Sequence, residues 1–171
     1  MLFLSFRDRS KLVLFRWPAV GAGLSVALGL HIVVSALGLG MAYVGSGSLP
    51  EGSTAYWVLA WSGVAWLAAA FIGGYVAAWV SDSSSYVESI FHGLTLWGLL
   101  TVILMVLPPT AMSLGAMLAE TVPPSDIVSF VAWFVAIGGI LSLGTTIWGS
   151  IIGSRVVESV ETKMTEGYRA A

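Results

Sequence analysis

The stretch GLSVALGLHIVVSALGLG, residues 23–40, consists almost entirely of apolar and small residues. It belongs to a longer apolar run, Trp17–Val44. A transmembrane helix needs about 20 such residues to cross ~30 Å of hydrocarbon, so this run is long enough to span a membrane. One ionisable side chain, His31, lies near its middle. The stretch therefore predicts a membrane helix and raises the question of what an imidazole does inside it.

Three more apolar segments follow this run along the chain. Charged residues make up only 9% of the sequence, whereas soluble domains average about 25%. The mean hydropathy is +0.92. No segment shows the alternation of polar and apolar residues that a transmembrane β-strand requires. We expect an all-α integral membrane protein with four transmembrane helices, spanning about residues 17–44, 56–80, 86–107 and 127–153.

The seven basic residues all lie near the two ends of the chain. Lys and Arg beside membrane helices stay on the cytoplasmic side, so both termini are predicted to be cytoplasmic, as four spans also require. The predicted parts are a basic amphipathic segment (1–16), a transmembrane domain (17–153) and a cytoplasmic tail (154–171). The basic residues expected to meet lipid headgroups are Arg7, Arg9, Lys11, Arg16 and Arg155.

The outer loop 108–126 is framed by two proline pairs, Pro108-Pro109 and Pro123-Pro124. Proline cannot donate a main-chain hydrogen bond, so both pairs are predicted to interrupt helices. Between them, residues 110–120 are predicted to form a short interfacial helix that does not span the membrane.

Metal and cofactor sites find little support in the sequence. The chain has no cysteine, which excludes thiolate ligands and disulfides. Met105, Met112 and Met117 suit Cu(I), but methionine is more often a packing residue. No metal, no cofactor and no catalytic residue is predicted.

Small residues recur at four-residue spacing in three of the four runs. Because lipid tails are as apolar as leucine, close backbone approach through small residues is what holds membrane helices together. We expect these residues to pack within the protomer; the alternative is that at least one set faces another subunit. The members are Gly21, Ser25 and Gly29 in the first run; Ala65, Ala69, Gly73 and Ala77 in the second; and Gly138, Ser142, Thr146, Ser150 and Ser154, flanked by Gly149 and Gly153, in the fourth.

Paired glycines at 73–74 and 138–139 are followed by similar sequences at the inner ends of the second and fourth runs. The similarity favours two related helical hairpins. Since both hairpins would start inside, they would be parallel rather than inverted repeats.

His31 is an intramembrane ionisable residue, which makes it a candidate functional group. Residues at similar depth predict Thr101 or Ser142 as its hydrogen-bond partner, with Ser35 one turn away as the local option. Proton relays chain several acidic or imidazole groups, and no other such group lies deep in a predicted span. We expect a neutral histidine that stabilises packing; the alternative is proton handling.

The turn before the third helix carries a second candidate group. Ser85 and Glu88 have the spacing of a capping box, in which the two residues satisfy free main-chain N–H groups at a helix start. His92 follows Glu88 by four residues, so the two side chains are predicted to pair near the inner interface.

Four motifs appear in a fixed order: RWPAVGAGLSVAL (16–28), SALGLGMA (35–42), GGYVAAWVS (73–81) and FHGLTLWGLL (91–100). Together they resemble a family of small four-helix bacterial inner-membrane proteins. The resemblance covers most of residues 16–153. It implies a multi-pass protein of the bacterial cytoplasmic membrane and implies no particular activity.

The function expected from these patterns is that of a non-catalytic membrane subunit, an accessory, assembly or scaffold component of a larger inner-membrane complex. The expected partners are the lipid bilayer and other integral subunits, for example of a respiratory, photosynthetic or secretion complex, or a second copy of the chain; nucleic acid is not expected. The alternative is a small transporter or channel for protons or a small solute. It would use His31 and the hydroxyls of the fourth helix, including Ser142, Thr145, Thr146 and Ser150.

Overall fold

The computed structural model describes residues 16–45, 53–82, 85–106 and 124–170. Within these ranges the chain is helical and contains no strand. Four of its segments are long and apolar enough to cross a membrane: Trp17–Ala42, Tyr56–Val80, Tyr86–Ile103 and Ala132–Met164. For the described residues, the predicted all-α fold with four helices long and apolar enough to span a membrane is therefore confirmed. The helices are α1 (Trp17–Gly45), α2 (Ser53–Val80), α3 (Tyr86–Val106) and α4 (Pro124–Ala170).

Several predictions fall on other parts of the chain. The basic segment up to residue 15, the short helix at 110–120, and Met112 and Met117 lie outside the described residues.

The described interior is made mostly of small residues, with a few leucines and a valine among them, and many large apolar side chains face outward. Most of the buried hydrophobic residues among those described are alanines, such as Ala69 and Ala77 at 0% exposure. Large side chains such as Val44 and Ile140 are 91% and 71% exposed. Such a surface would be costly in water but matches hydrocarbon, where helix packing depends on close contact through small residues.

α2 is the central helix and makes the most extensive contacts, with α1 on one face and α4 on another. On the first face, a Cβ built on Gly73 would lie only 2.8 Å from the Cβ of Ala27 in α1. On the second, a Cβ on Gly74 would collide with the Thr146 carbonyl of α4. α3 packs mainly on α4, with smaller contacts to α2 and α1.

The small residues predicted to pack in α1, which form one stripe along the helix at four-residue spacing, do not pack within the protomer. Gly21, Ser25 and Gly29 are exposed, and a Cβ built on either glycine meets nothing within 4 Å. The packed face instead carries Gly23 and Ala27, which are buried against α2. Both stripes have the same four-residue spacing, so the spacing alone could not choose between them.

The other two predicted sets lie mostly inside the bundle. Gly138 differs, because it is only partly buried and has open space around it. The buried members are Ala65, Ala69, Gly73 and Ala77 of α2, and Ser142, Thr146, Gly149, Ser150, Gly153 and Ser154 of α4.

α4 is longer than predicted at both ends. It begins at Pro124, within the predicted loop, because proline is well suited to the first position of a helix, where its missing N–H is not needed. It continues past the predicted end at 153 to Ala170, through residues that had been assigned only as a tail. After Gly153 the sequence becomes more polar, which ends the membrane-spanning pattern. The helix itself continues, because main-chain hydrogen bonds form in water as well.

Candidate functional site

His92 is the buried polar centre at one end of the bundle. Its side chain is 0% exposed. Its Nδ1 lies 2.8 Å from the main-chain carbonyl oxygen of Glu88, and its Nε2 lies 3.4 Å from the main-chain nitrogen of Arg16. A carbonyl oxygen can only accept, so Nδ1 carries the proton and donates. Nε2 is then free to accept from the Arg16 N–H, and both contacts fit one neutral tautomer.

Arg16 is the residue from which α1 starts. Its carbonyl oxygen accepts from the N–H groups of Ala19 and Val20 at 3.0 and 3.4 Å, as an N-cap residue does. The hydrogen bond from the Arg16 N–H to His92 therefore joins the start of α1 to the first turns of α3. We call Arg16 and His92 the α1–α3 junction.

Glu88 and His92, which are predicted to pair, are joined by a hydrogen bond. The described bond runs to the main-chain carbonyl of Glu88, and the contact to another helix is made by Nε2. Ser85 directly precedes the first residue of α3, as the capping-box prediction requires. The Arg16 contact was missed because a main-chain N–H has no signature in the sequence.

His31 is half-buried and makes local and aromatic contacts. Its Nδ1 lies 3.5 Å from the Ser35 hydroxyl, the local option named above. Its ring meets that of Trp66 in α2 edge-on, with centroids 5.2 Å apart and planes at 85°. The partners predicted on other helices bond elsewhere: Thr101 donates to the Trp97 carbonyl, and Ser142 to the Gly139 carbonyl. Similar depth did not mean adjacency, because α1 packs chiefly on α2.

The hydroxyls of α4, which carry the transport alternative, donate to their own helix. Each bonds a carbonyl three or four residues earlier, at 2.6–3.0 Å. Ser and Thr in membrane helices commonly bond in this way. The residues are Ser142, Thr145, Thr146, Ser150 and Ser154.

Two tryptophans donate hydrogen bonds between helices. Trp97 Nε1 of α3 lies 3.0 Å from the Ser142 hydroxyl and 3.2 Å from the Gly139 carbonyl of α4. Trp61 Nε1 of α2 lies 2.7 Å from the Val34 carbonyl of α1. The sequence indicates that these indoles are deep but gives no sign of their acceptors, two of which are main-chain carbonyls.

Trp97→Phe is expected to lower the stability of the bundle by about 1 kcal/mol, since an interhelical hydrogen bond in a membrane protein contributes on that order. Trp133→Phe is the control, because Trp133 is 66% exposed on α4. Unfolding by detergent titration measures both variants. A loss at position 133 as large as that at 97 would assign the effect to ring size rather than to the hydrogen bond.

Among the described residues, no three His, Cys, Asp or Glu side chains are grouped so that they could hold a metal ion. Within the same ranges, every buried side-chain nitrogen or oxygen atom has a hydrogen-bond partner. The described polar side chains form hydrogen bonds either between two helices or along one helix. No protein family, no curated protein and no solved structure matches this chain.

Proposed function

We propose that this chain is a non-catalytic integral membrane subunit, an accessory, assembly or scaffold component of a larger bacterial inner-membrane complex. The observation that carries the proposal is that the described polar side chains form hydrogen bonds within a helix or between helices of the bundle. The hydroxyls of α4 donate to their own helix, and His92 and Trp97 join one helix to another. These contacts build a packed bundle, and they use the hydroxyl protons of α4 within that helix.

The outward stripe of α1 supports attachment to other membrane helices. Gly21, Ser25 and Gly29 lie on an exposed face with open space above the two glycines. The same type of surface on α2 is covered by α1 and α4 within the protomer. Another subunit's transmembrane helix, or that of a second copy, would fit the stripe in the same manner.

Both termini are proposed to lie in the cytoplasm. Arg16 begins α1 beside His92 of α3, and Arg155 follows Gly153, which packs on the last turns of α2. Arg16 and Arg155 thus both lie near the end of α2, and basic residues favour the cytoplasmic side, which supports this orientation.

Gentle extraction from the native membrane, followed by mass determination and identification of co-purifying proteins, tests the proposal. We expect a defined set of other integral membrane proteins. Gly29→Leu should reduce that association strongly while the bundle stays folded, because position 29 is open within the protomer. Gly144→Leu is the matched control, since position 144 on α4 is equally open.

A lone protomer, or a closed oligomer of this chain alone, in the wild-type extraction would contradict the proposal and favour the transport alternative. Proton or solute flux in liposomes would then be measured for His31→Gln. A folded His31→Gln protein without flux would assign the histidine to a transport path, and unchanged flux would leave it with its packing role.

A further inference from the structure

The end of α4 extends well past the rest of the described bundle. α2 ends at Val80, and Gly153 of α4 packs on Tyr75 and Ala78 in the last turns of α2. From Ser154 to Ala170, α4 continues as one unbroken helix. At 1.5 Å per residue this part is roughly 25 Å long. We call it the α4 extension.

One face of the α4 extension is apolar. Val157, Val160 and Met164 follow Gly153 at intervals of four, three and four residues, which keeps them on a single helix face. Val160 is 48% and Met164 is 67% exposed. Exposed polar residues lie on the opposite side: Arg155, Glu158 and Thr162.

The direction of this face limits what can cover it. It continues the line of Thr146, Ser150 and Gly153, whose side of α4 packs on α2 and α3. Beyond the end of α2 the same side therefore points across the end of its own bundle. A second copy that approached α4 from the lipid would meet the opposite side of the helix, which carries the polar residues.

The chain supplies a segment at this position. Residues 1–15 lead directly into Arg16, which the α1–α3 junction holds at the same end. They include many apolar side chains and, in helical form, would extend roughly 22 Å, close to the length of the α4 extension. Basic residues lie among them as well. The apolar residues are Leu2, Phe3, Leu4, Phe6, Leu12, Val13, Leu14 and Phe15, and the basic residues are Arg7, Arg9 and Lys11.

We propose that residues 1–15 bind the apolar face of the α4 extension and form a fifth packed element at this end of the bundle. The two segments run antiparallel, because one enters the bundle where the other leaves it. Phe6 then lies at about the height of Met164. The basic side chains stay at the rim, where lipid headgroups are within reach. The proposal does not depend on the chain's being a subunit of a larger complex.

Disulfide cross-linking tests the proposal directly, because the full chain has no cysteine. Phe6→Cys is combined with Met164→Cys, and the matched control combines Phe6→Cys with Thr162→Cys, on the opposite face. Both full-length proteins are oxidised in native membranes, and intact mass gives the yield of internal disulfide. We expect roughly tenfold more internal disulfide with position 164, since two cysteines link only when their Cα atoms come within ~7 Å.

Equal yields at positions 164 and 162, or no internal disulfide at 164, would overturn the proposal. So would efficient cross-linking of the single Met164→Cys variant to a second chain, which would assign the face to a dimer. A membrane-impermeant maleimide, applied to inside-out membrane vesicles, gives an independent readout on single variants. We expect Met164→Cys to be protected relative to Thr162→Cys, and equal labelling would count against the docked segment.

Discussion

Gly149→Ala is expected to destabilise the bundle by about 1–3 kcal/mol, the typical cost of overfilling a packed interior. A Cβ at this position would collide with the main-chain carbonyl of Phe71. A carbonyl in the middle of a helix cannot move aside as the end of a flexible side chain can, so α2 and α4 must separate. Gly149→Leu should abolish the folded protein. Unfolding in a detergent titration, together with the yield of monodisperse protein, measures both effects.

Gly144→Ala is the matched control for this prediction. It lies on the same helix, and a Cβ there meets nothing within 4 Å. Alanine is also the better helix former, by about 1 kcal/mol in soluble helices. We expect Gly144→Ala to be neutral or stabilising, so the two substitutions should have opposite signs. A similar loss at both positions would show that close contact between α2 and α4 does not limit stability.

His92→Leu is expected to cost about 1–3 kcal/mol, because it removes the buried imidazole that accepts a hydrogen bond from the Arg16 main-chain N–H. The start of α1 would lose its connection to α3. His92→Gln should recover part of the loss, since its amide oxygen can accept a hydrogen bond. The measurement is the same detergent titration, supplemented by proteolysis near residue 16.

His31→Leu is the matched control for His92→Leu. His31 is half-buried, and its contact with Ser35 is long at 3.5 Å. We expect a loss below about 1 kcal/mol, because this contact is within α1 and weaker than a hydrogen bond between membrane helices, which contributes about that much. A larger loss at 31 than at 92 would reverse the assignment of structural roles to the two histidines.

The four membrane-spanning helices follow from composition and run length, because the thickness of the bilayer sets both. Which face of each helix packs does not follow in the same way. Gly21 and Gly23 both begin four-residue stripes in α1, and only Gly23 meets α2. In a soluble protein hydrophobicity would mark the inner face, but here both faces are apolar.

The candidate site was predictable only in part. The isolated His31 drew attention because it interrupts an apolar run, whereas His92 has the more deeply buried side chain and joins two helices. Its partners are a main-chain N–H and a main-chain carbonyl, which every residue except proline carries, so no residue pattern marks them. The continuation of α4 beyond Gly153 was missed for a related reason, because hydropathy reports the membrane boundary and not the end of the helix.

The two packed faces of α2 also bear on the order in which the protein is made. α1 precedes α2 in the chain, so the face of α2 around Gly73 finds its partner as soon as α2 is inserted. The face around Gly74 and Ala78 must wait until Gly153 has been synthesised. At typical translation rates this interval is roughly 4–15 s. During that time a glycine-lined surface of the nascent chain is open to lipid, to insertion factors or to the wrong helix, and we expect misassembly of this protein to begin there.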